Sequence, residues 1–164
     1  MNRVEIRKSY FDNNTLRSEE RFENGQRNGL CKWYYENGNI EAEVEFLADK
    51  RHGSYKSFYE NGNLWQESFY HEDNIEGTSK WYYEDGSLAA EILYKTGLQE
   101  GTTKWYYKNG KVKLLEEYLN NVLHGTCKGY DENGTLIIED LYENSQKVLS
   151  KHYRHGKLIS ETSY

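Results

Sequence analysis

KWYYENGNIEAE, residues 32–43, returns along the chain as KSFYENGNLWQE at 56–67, KWYYEDGSLAAE at 80–91 and KWYYKNGKVKLL at 104–115. Each copy carries a Lys, an aromatic cluster, an Asn-Gly or similar pair and an aliphatic residue, and most close on a Glu. Gly38, Gly62, Gly86, Gly110 and Gly134 follow one another at steps of 24. Gly29, Gly53, Gly77, Gly101 and Gly125 form a second column, and Lys8, Lys32, Lys56, Lys80, Lys104 and Lys128 a third. Degenerate copies stand at both ends. YFDNNTLRSE (10–19) has Asn14 at the glycine position, and Asn is the residue next most tolerant of positive φ. HYRHGKLISE (152–161) runs two residues early, with Gly156 at its turn.

A period of this length accommodates a helix pair or a β-hairpin, and turn chemistry decides between them. Asn-Gly between short β-branched and aromatic runs is a strong hairpin signal, because a two-residue type I′ turn needs positive φ at both central residues. With Asn37 and Gly38 as those residues, Tyr35 faces Ile40, Trp33 faces Ala42 and Lys32 faces Glu43. One face of the hairpin then collects Cys31, Trp33, Tyr35, Ile40, Ala42, Val44 and Phe46. The other collects Lys32, Glu36, Asn39, Glu41, Glu43 and Glu45, with Tyr34 as the exception. This separation is what a half-buried antiparallel sheet requires. The register also opposes Lys8–Glu19, Lys32–Glu43, Lys56–Glu67, Lys80–Glu91 and Lys128–Glu139, and leaves Lys104 opposite Leu115.

Polar loops such as LADKRHG (47–53) and LNNVLHG (119–125) return the chain to the next copy, so the simplest topology is a meander. The expected fold is all-β: an elongated antiparallel meander of about seven 24-residue hairpins in a single-layer twisted sheet. Roughly thirteen or fourteen strands at about 4.8 Å spacing would extend it over about 65 Å. One repeat domain over 1–164 is expected, with copies at roughly 5–29, 30–53, 54–77, 78–101, 102–125, 126–149 and 150–164.

These residues resemble a known family. The pattern in GTSKWYYEDGSLAAEILY (77–94) looks like the MORN-repeat variant family, and particularly its bacterial YwqK-type, antitoxin-like members. The resemblance covers essentially the whole chain. It departs from the older MORN pattern, whose glycines alternate more densely in the first strand, and the membrane association of that name is not carried over. The resemblance implies a row of hairpins serving protein–protein contact, with immunity to a partner toxin as one role.

Composition narrows the function further. The formal charge of −6 argues against nucleic acid and anionic lipid and suits a basic protein partner. No apolar run is long enough to span a membrane as a helix, so integral membrane association is not expected. The N-terminus MNRVEIRKSYF has no apolar core of a signal peptide, and a cytoplasmic location is expected. Cys31 and Cys127 lie too many hairpins apart for a disulfide, as do His52 and His124 for a shared ion. His152 and His155 flank the last turn, where an H-x-x-H pattern is weak evidence for metal. No metal and no cofactor is expected. Nucleophile-elbow, phosphate-loop and zinc signatures are all missing, and no copy carries an inserted loop, so catalysis is not expected.

Two sets of aromatics are candidates for binding. Trp33, Tyr35, Tyr59, Trp81, Tyr83, Trp105 and Tyr107 form a stripe that reads either as the core of a lone sheet or as a secondary binding face. That apolar face would also serve a homodimer. In the second full copy Ser57, Gln66 and Ser68 thin the inward face, while Phe58, Trp65 and Phe69 move to the polar one. Phe58 and Trp65 stand directly opposed in the expected register, as interface anchors would. The reading is a non-catalytic protein-binding module, antitoxin-like or immunity-type. The alternative is a structural scaffold or cell-envelope repeat protein that assembles through its aromatic face, and peripheral membrane binding ranks behind both.

Overall fold

A computed structural model describes residues 3–164, in two compact units that divide between Gly86 and Ser87. Strands are the only regular elements among the described residues, and they pair antiparallel. The first unit contains β1 (Val4–Tyr10), β2 (Leu16–Glu23), β3 (Gln26–Arg27), β4 (Gly29–Tyr34), β5 (Ile40–Leu47), β6 (Lys50–Phe58), β7 (Leu64–His71) and β8 (Asn74–Tyr82). The second contains β9 (Leu88–Lys95), β10 (Leu98–Gln99), β11 (Gly101–Tyr106), β12 (Val112–Leu119), β13 (Val122–Leu123), β14 (Gly125–Tyr130), β15 (Leu136–Glu143), β16 (Gln146–Arg154) and β17 (Lys157–Ser163). The two-residue pieces β3, β10 and β13 each lead into the following strand and pair with the same neighbour as it does. Within each unit the strands follow in chain order, which is the expected all-β meander of hairpins.

The turns differ from the expectation. Of Asn37 and Gly38 only the glycine has positive φ, at 87°. The Gly38 amide donates to the Tyr35 carbonyl at 2.9 Å, and the Tyr35 amide to the Asn39 carbonyl at 2.8 Å. The loop is therefore the three-residue kind, a type I turn closed by a left-handed glycine. A bulge follows, because Tyr34 faces Ile40 while Trp33 faces Ala42, leaving Glu41 as the extra residue. The tip pairs Tyr35 with Asn39, one residue earlier than expected, and the extra residue restores the register. The register from Trp33 outward is the expected one, and only the tip is corrected. Tyr35 does not face Ile40; Ile40 joins Tyr34 on the lysine face, and Leu64, Val112 and Leu136 likewise face Phe58, Tyr106 and Tyr130. Asn14, with φ at 65°, does replace the glycine as expected.

Two-residue turns with positive φ at both positions do occur, at the opposite ends of the strands, where loops were expected. They are Asn24-Gly25, Ala48-Asp49, Glu72-Asp73, Thr96-Gly97, Asn120-Asn121 and Asn144-Ser145. LADKRHG is thus no loop: Leu47 pairs with Lys50 directly across Ala48-Asp49. The last copy keeps the expected turn, since His155-Gly156 is a two-residue turn with positive φ at both positions between Arg154 and Lys157.

The buried side chains are small. Ser18, Cys31, Val44, Ser57, Ser68 and Ser79 are buried in the first unit, and Ala90, Ile92, Thr103, Cys127, Asp140 and Ser150 in the second. They share the face opposite the lysines. None of the seven stripe aromatics is fully buried, and Trp105 is 39 % exposed. Larger rings lie over the small core, as Trp33 does edge-on to Phe46 at 6.3 Å between centroids. The stripe covers the core and does not compose it. Both thiols are buried and free.

Candidate interaction surface

The lysine face carries an alternating row of charge. Lys8–Glu19, Lys32–Glu43, Lys56–Glu67 and Lys128–Glu139 oppose each other across hairpins. Each glutamate also meets the lysine of the following strand: Glu19 faces Lys32, Glu43 faces Lys56, Glu67 faces Lys80 and Glu91 faces Lys104. Lys104, which faces Leu115, finds its partner in Glu91, at 3.9 Å. The tightest pairs are Lys8–Glu19 and Lys32–Glu43, both at 2.7 Å. Half-exposed pairs of this kind contribute about 0.2–1 kcal/mol each and serve mainly to hold register.

Tyrosines close the row. The Tyr82 hydroxyl donates to Glu67 and the Tyr106 hydroxyl to Glu91, each at 2.7 Å. Burial, followed by that bond to Glu91, pushes the Tyr106 phenol up to about 12. Tyr35, Tyr59 and Tyr107 have another role. Each hydroxyl donates, at 2.7 Å, to a backbone carbonyl of the next hairpin: those of Phe58, Tyr82 and Tyr130. The asparagines that flank the turn glycines work alongside them. Asn37 and Asn39 both donate to the Glu60 carbonyl, Asn61 and Asn63 to that of Glu84, and Asn109 to that of Glu132. The repeated Asn is a stitch between successive turns, a role that periodicity alone does not show.

The opposite strand ends are stitched by carboxylates and amides. The Arg27 amide donates to Asp49 at 2.8 Å, the Arg51 amide to Asp73 at 3.0 Å and the Gln99 amide to Asn121 at 2.6 Å. The Arg51 amide and guanidinium hold the Asp73 carboxyl below the usual range. These two rows of stitches leave the hairpin tips engaged with one another, so the faces are what remains for a ligand.

The three singled-out aromatics do not form one cluster. Phe58 faces Leu64, not Trp65, because the bulge moves Trp65 out of register. Trp65 is the bulge residue itself, 45 % exposed, with its ring 6.3 Å from that of Tyr59. Phe69 faces Ser54 at the far end of the strand and is 51 % exposed on the lysine face. The register shift at the turn, invisible in the repeat itself, is what separates them.

One feature of this face escaped the sequence reading. The second glycine column lies beside a cradle that a side chain of the preceding strand occupies. A Cβ at Gly53 would collide with the Glu45 carboxylate, and one at Gly125 with that of Glu117. Those carboxylates accept backbone amides, Ser54 at 2.9 Å and Thr126 at 2.7 Å. Phe69 holds the corresponding position beside Gly77, and nothing lies within 4 Å of where a Gly77 Cβ would be.

Asp140 is a buried carboxylate, the kind of group that can serve as a catalytic acid. Lys147 and the Ser150 hydroxyl, each 2.5 Å away, hold it as a structural ion pair. Among the described residues no group of three His, Cys, Asp or Glu side chains converges as metal ligands, and no helix is long and apolar enough to cross a membrane. His52 lies against His71, with ring centroids 4.8 Å apart.

Comparison with known proteins agrees with this architecture. The pattern of the MORN repeat variant matches five consecutive segments, residues 27–48, 51–72, 75–96, 99–120 and 123–144. Each begins just after one two-residue turn and ends within the next. No curated protein matches the chain.

Proposed function

The chain belongs to the MORN repeat variant family, and from that premise we propose that it is a non-catalytic protein-binding module whose first unit carries the contact surface. Repeats of this family are associated with interaction toward proteins or membrane lipids. The observation that carries the choice of a protein is Phe69. A half-exposed phenyl ring stands on a charged face where sibling hairpins have Glu45 and Glu117. Burying such a ring against a partner is worth about 2 kcal/mol or more at an interface. Trp65 supplies a second exposed anchor where another hairpin has Glu41.

The net charge of −6 supports a partner of opposite overall sign and disfavours anionic lipid, whose surface attracts basic segments. An antitoxin or immunity role toward a basic toxin, in a cytoplasmic setting, is the specific form of this proposal. The test is affinity capture with the intact chain, followed by binding of the identified protein to purified variants. Phe69→Ser and Trp65→Ser are expected to fold with nearly unchanged Tm and to weaken binding by at least about tenfold each. Undiminished binding in both variants would move the contact surface elsewhere. Salt-sensitive co-sedimentation with anionic vesicles would replace protein by lipid.

A further inference from the structure

The vacant cradle beside Gly77 carries an inference that rests on the protein-binding reading and names what the partner brings. In two other hairpins the fold supplies its own acid: Glu45 reaches the Ser54 amide and Glu117 the Thr126 amide. Arg21 occupies the cradle at Gly29, and a Leu93 methyl carbon lies 3.5 Å from the Cβ site at Gly101. Only Gly77, of these five, has open space over it, with φ at 75° as the others have positive φ. No side-chain acceptor reaches the Thr78 amide among the described residues.

The surroundings are those of an anion site. A shallow depression of about 340 Å³ is lined by Thr78, Phe69, Ser54, Lys56, Lys80 and Glu67, among others. Lys80 and the Tyr82 hydroxyl already hold Glu67, at 3.9 and 2.7 Å. Lys56 faces Glu43 and Glu67 in the strand pairing, yet Glu43 is bonded to Lys32 at 2.7 Å. Among the described residues Lys56 makes no ion pair. An amide placed for a carboxylate, an unpaired ammonium and an empty cradle therefore meet beside an exposed phenyl ring.

We propose that the Gly77–Thr78 cradle receives the carboxylate of an acidic side chain presented by a protein partner, with Lys56 as counter-charge and Phe69 against the neighbouring apolar residue. The inserted acid does the work that Glu45 and Glu117 do in their own hairpins. A partner of basic overall charge still carries glutamates, and this pairing is local. Charge-assisted bonds to an amide and an ammonium are the stronger kind, so they discriminate a carboxylate from a neutral amide of the same shape.

The test uses the full chain labelled with nitrogen-15 and a blocked Ala-Ala-Glu-Ala-Ala peptide, with the Gln peptide as control. Saturable shifts of the Gly77 and Thr78 amides are expected with the Glu peptide, and at least about tenfold weaker binding with Gln. Phe69→Glu, which restores the internal acid, is expected to abolish the response. Phe69→Ser and Lys56→Gln should each weaken it without abolishing it. Equal shifts with the Gln peptide, with inorganic phosphate, or in Phe69→Glu would overturn the proposal. A silent Thr78 alongside retained binding of the natural partner would remove the cradle and leave the protein-binding reading standing. A peptide response without any protein partner would overturn the docking reading and with it this occupant.

Discussion

The two ends of the hairpin strands solve the same problem in opposite ways. At one end three-residue turns place a glycine at each positive φ, from Gly38 to Gly134, and the asparagine or aspartate before it stays out of the positive-φ region. At the other end two-residue turns force pairs of residues into the left-handed region, and most of those residues have side chains: Ala48 at 51°, Asp49 at 68°, Glu72 at 48° and Asp73 at 68°. The second arrangement costs about 1–2 kcal/mol for each non-glycine residue. Stitching offsets part of that cost, since Asp49 and Asp73 each accept an amide from the preceding repeat. Glycine thus marks the end whose turn is free of strain before Asn37 and Asn61 stitch it to the next repeat. At the other end Asp49, Asp73 and Asn121 occupy the strained positions themselves and their stitches offset that strain.

The largest effect expected from breaking this comparison is at the glycine end. Gly86 has φ at 85° with nothing near its Cβ site, so Gly86→Val meets only the backbone penalty. A β-branched residue there should lower stability by at least about 1–2 kcal/mol, measured by denaturant unfolding, and Gly86→Asn by less. Equal losses would mean that something other than φ decides this turn.

A smaller change of opposite sign is expected across the sheet. Ala48→Gly relieves a left-handed alanine and adds unfolded-state entropy, for a net gain of roughly 0.5–1 kcal/mol. A loss of stability would show that the return turns are not strained.

The smallest effect sharpens the role of the stitch. Asp73→Ala should lower Tm at neutral pH, while Asp73→Asn should keep most of it, because Asn121 does the same work at the equivalent turn. The sign with pH follows from the carboxyl being held below its ordinary range by the Arg51 amide and guanidinium. The folded state binds that proton less readily than the unfolded one. The contribution is therefore present above the ordinary carboxylate range and lost as pH falls through the depressed folded value. The melting difference between the native chain and Asp73→Asn should shrink over that acid interval. A constant difference would detach Asp73 from the turn.

Much was legible in the residues alone. The steps of the Gly, Lys and Glu columns determined an antiparallel hairpin repeat, its register from Trp33–Ala42 outward and the row in which Lys32 meets Glu43. Alternation across the pleat makes that possible, since a slipped strand would exchange the two faces wholesale. Tertiary structure alone decided what the tips do. Asn37 bends its own turn, its Oδ1 accepting the Asn39 amide, and it also bonds the next one only because the Glu60 carbonyl lies there in the following hairpin. The bulge that separates Phe58 from Trp65 restores the register it interrupts, so it leaves no trace in the period. The empty place beside Gly77 is likewise a matter of neighbours. Phe69 can be read in the sequence, but the space it leaves exists only where a strand, a left-handed glycine and an unpaired lysine come together.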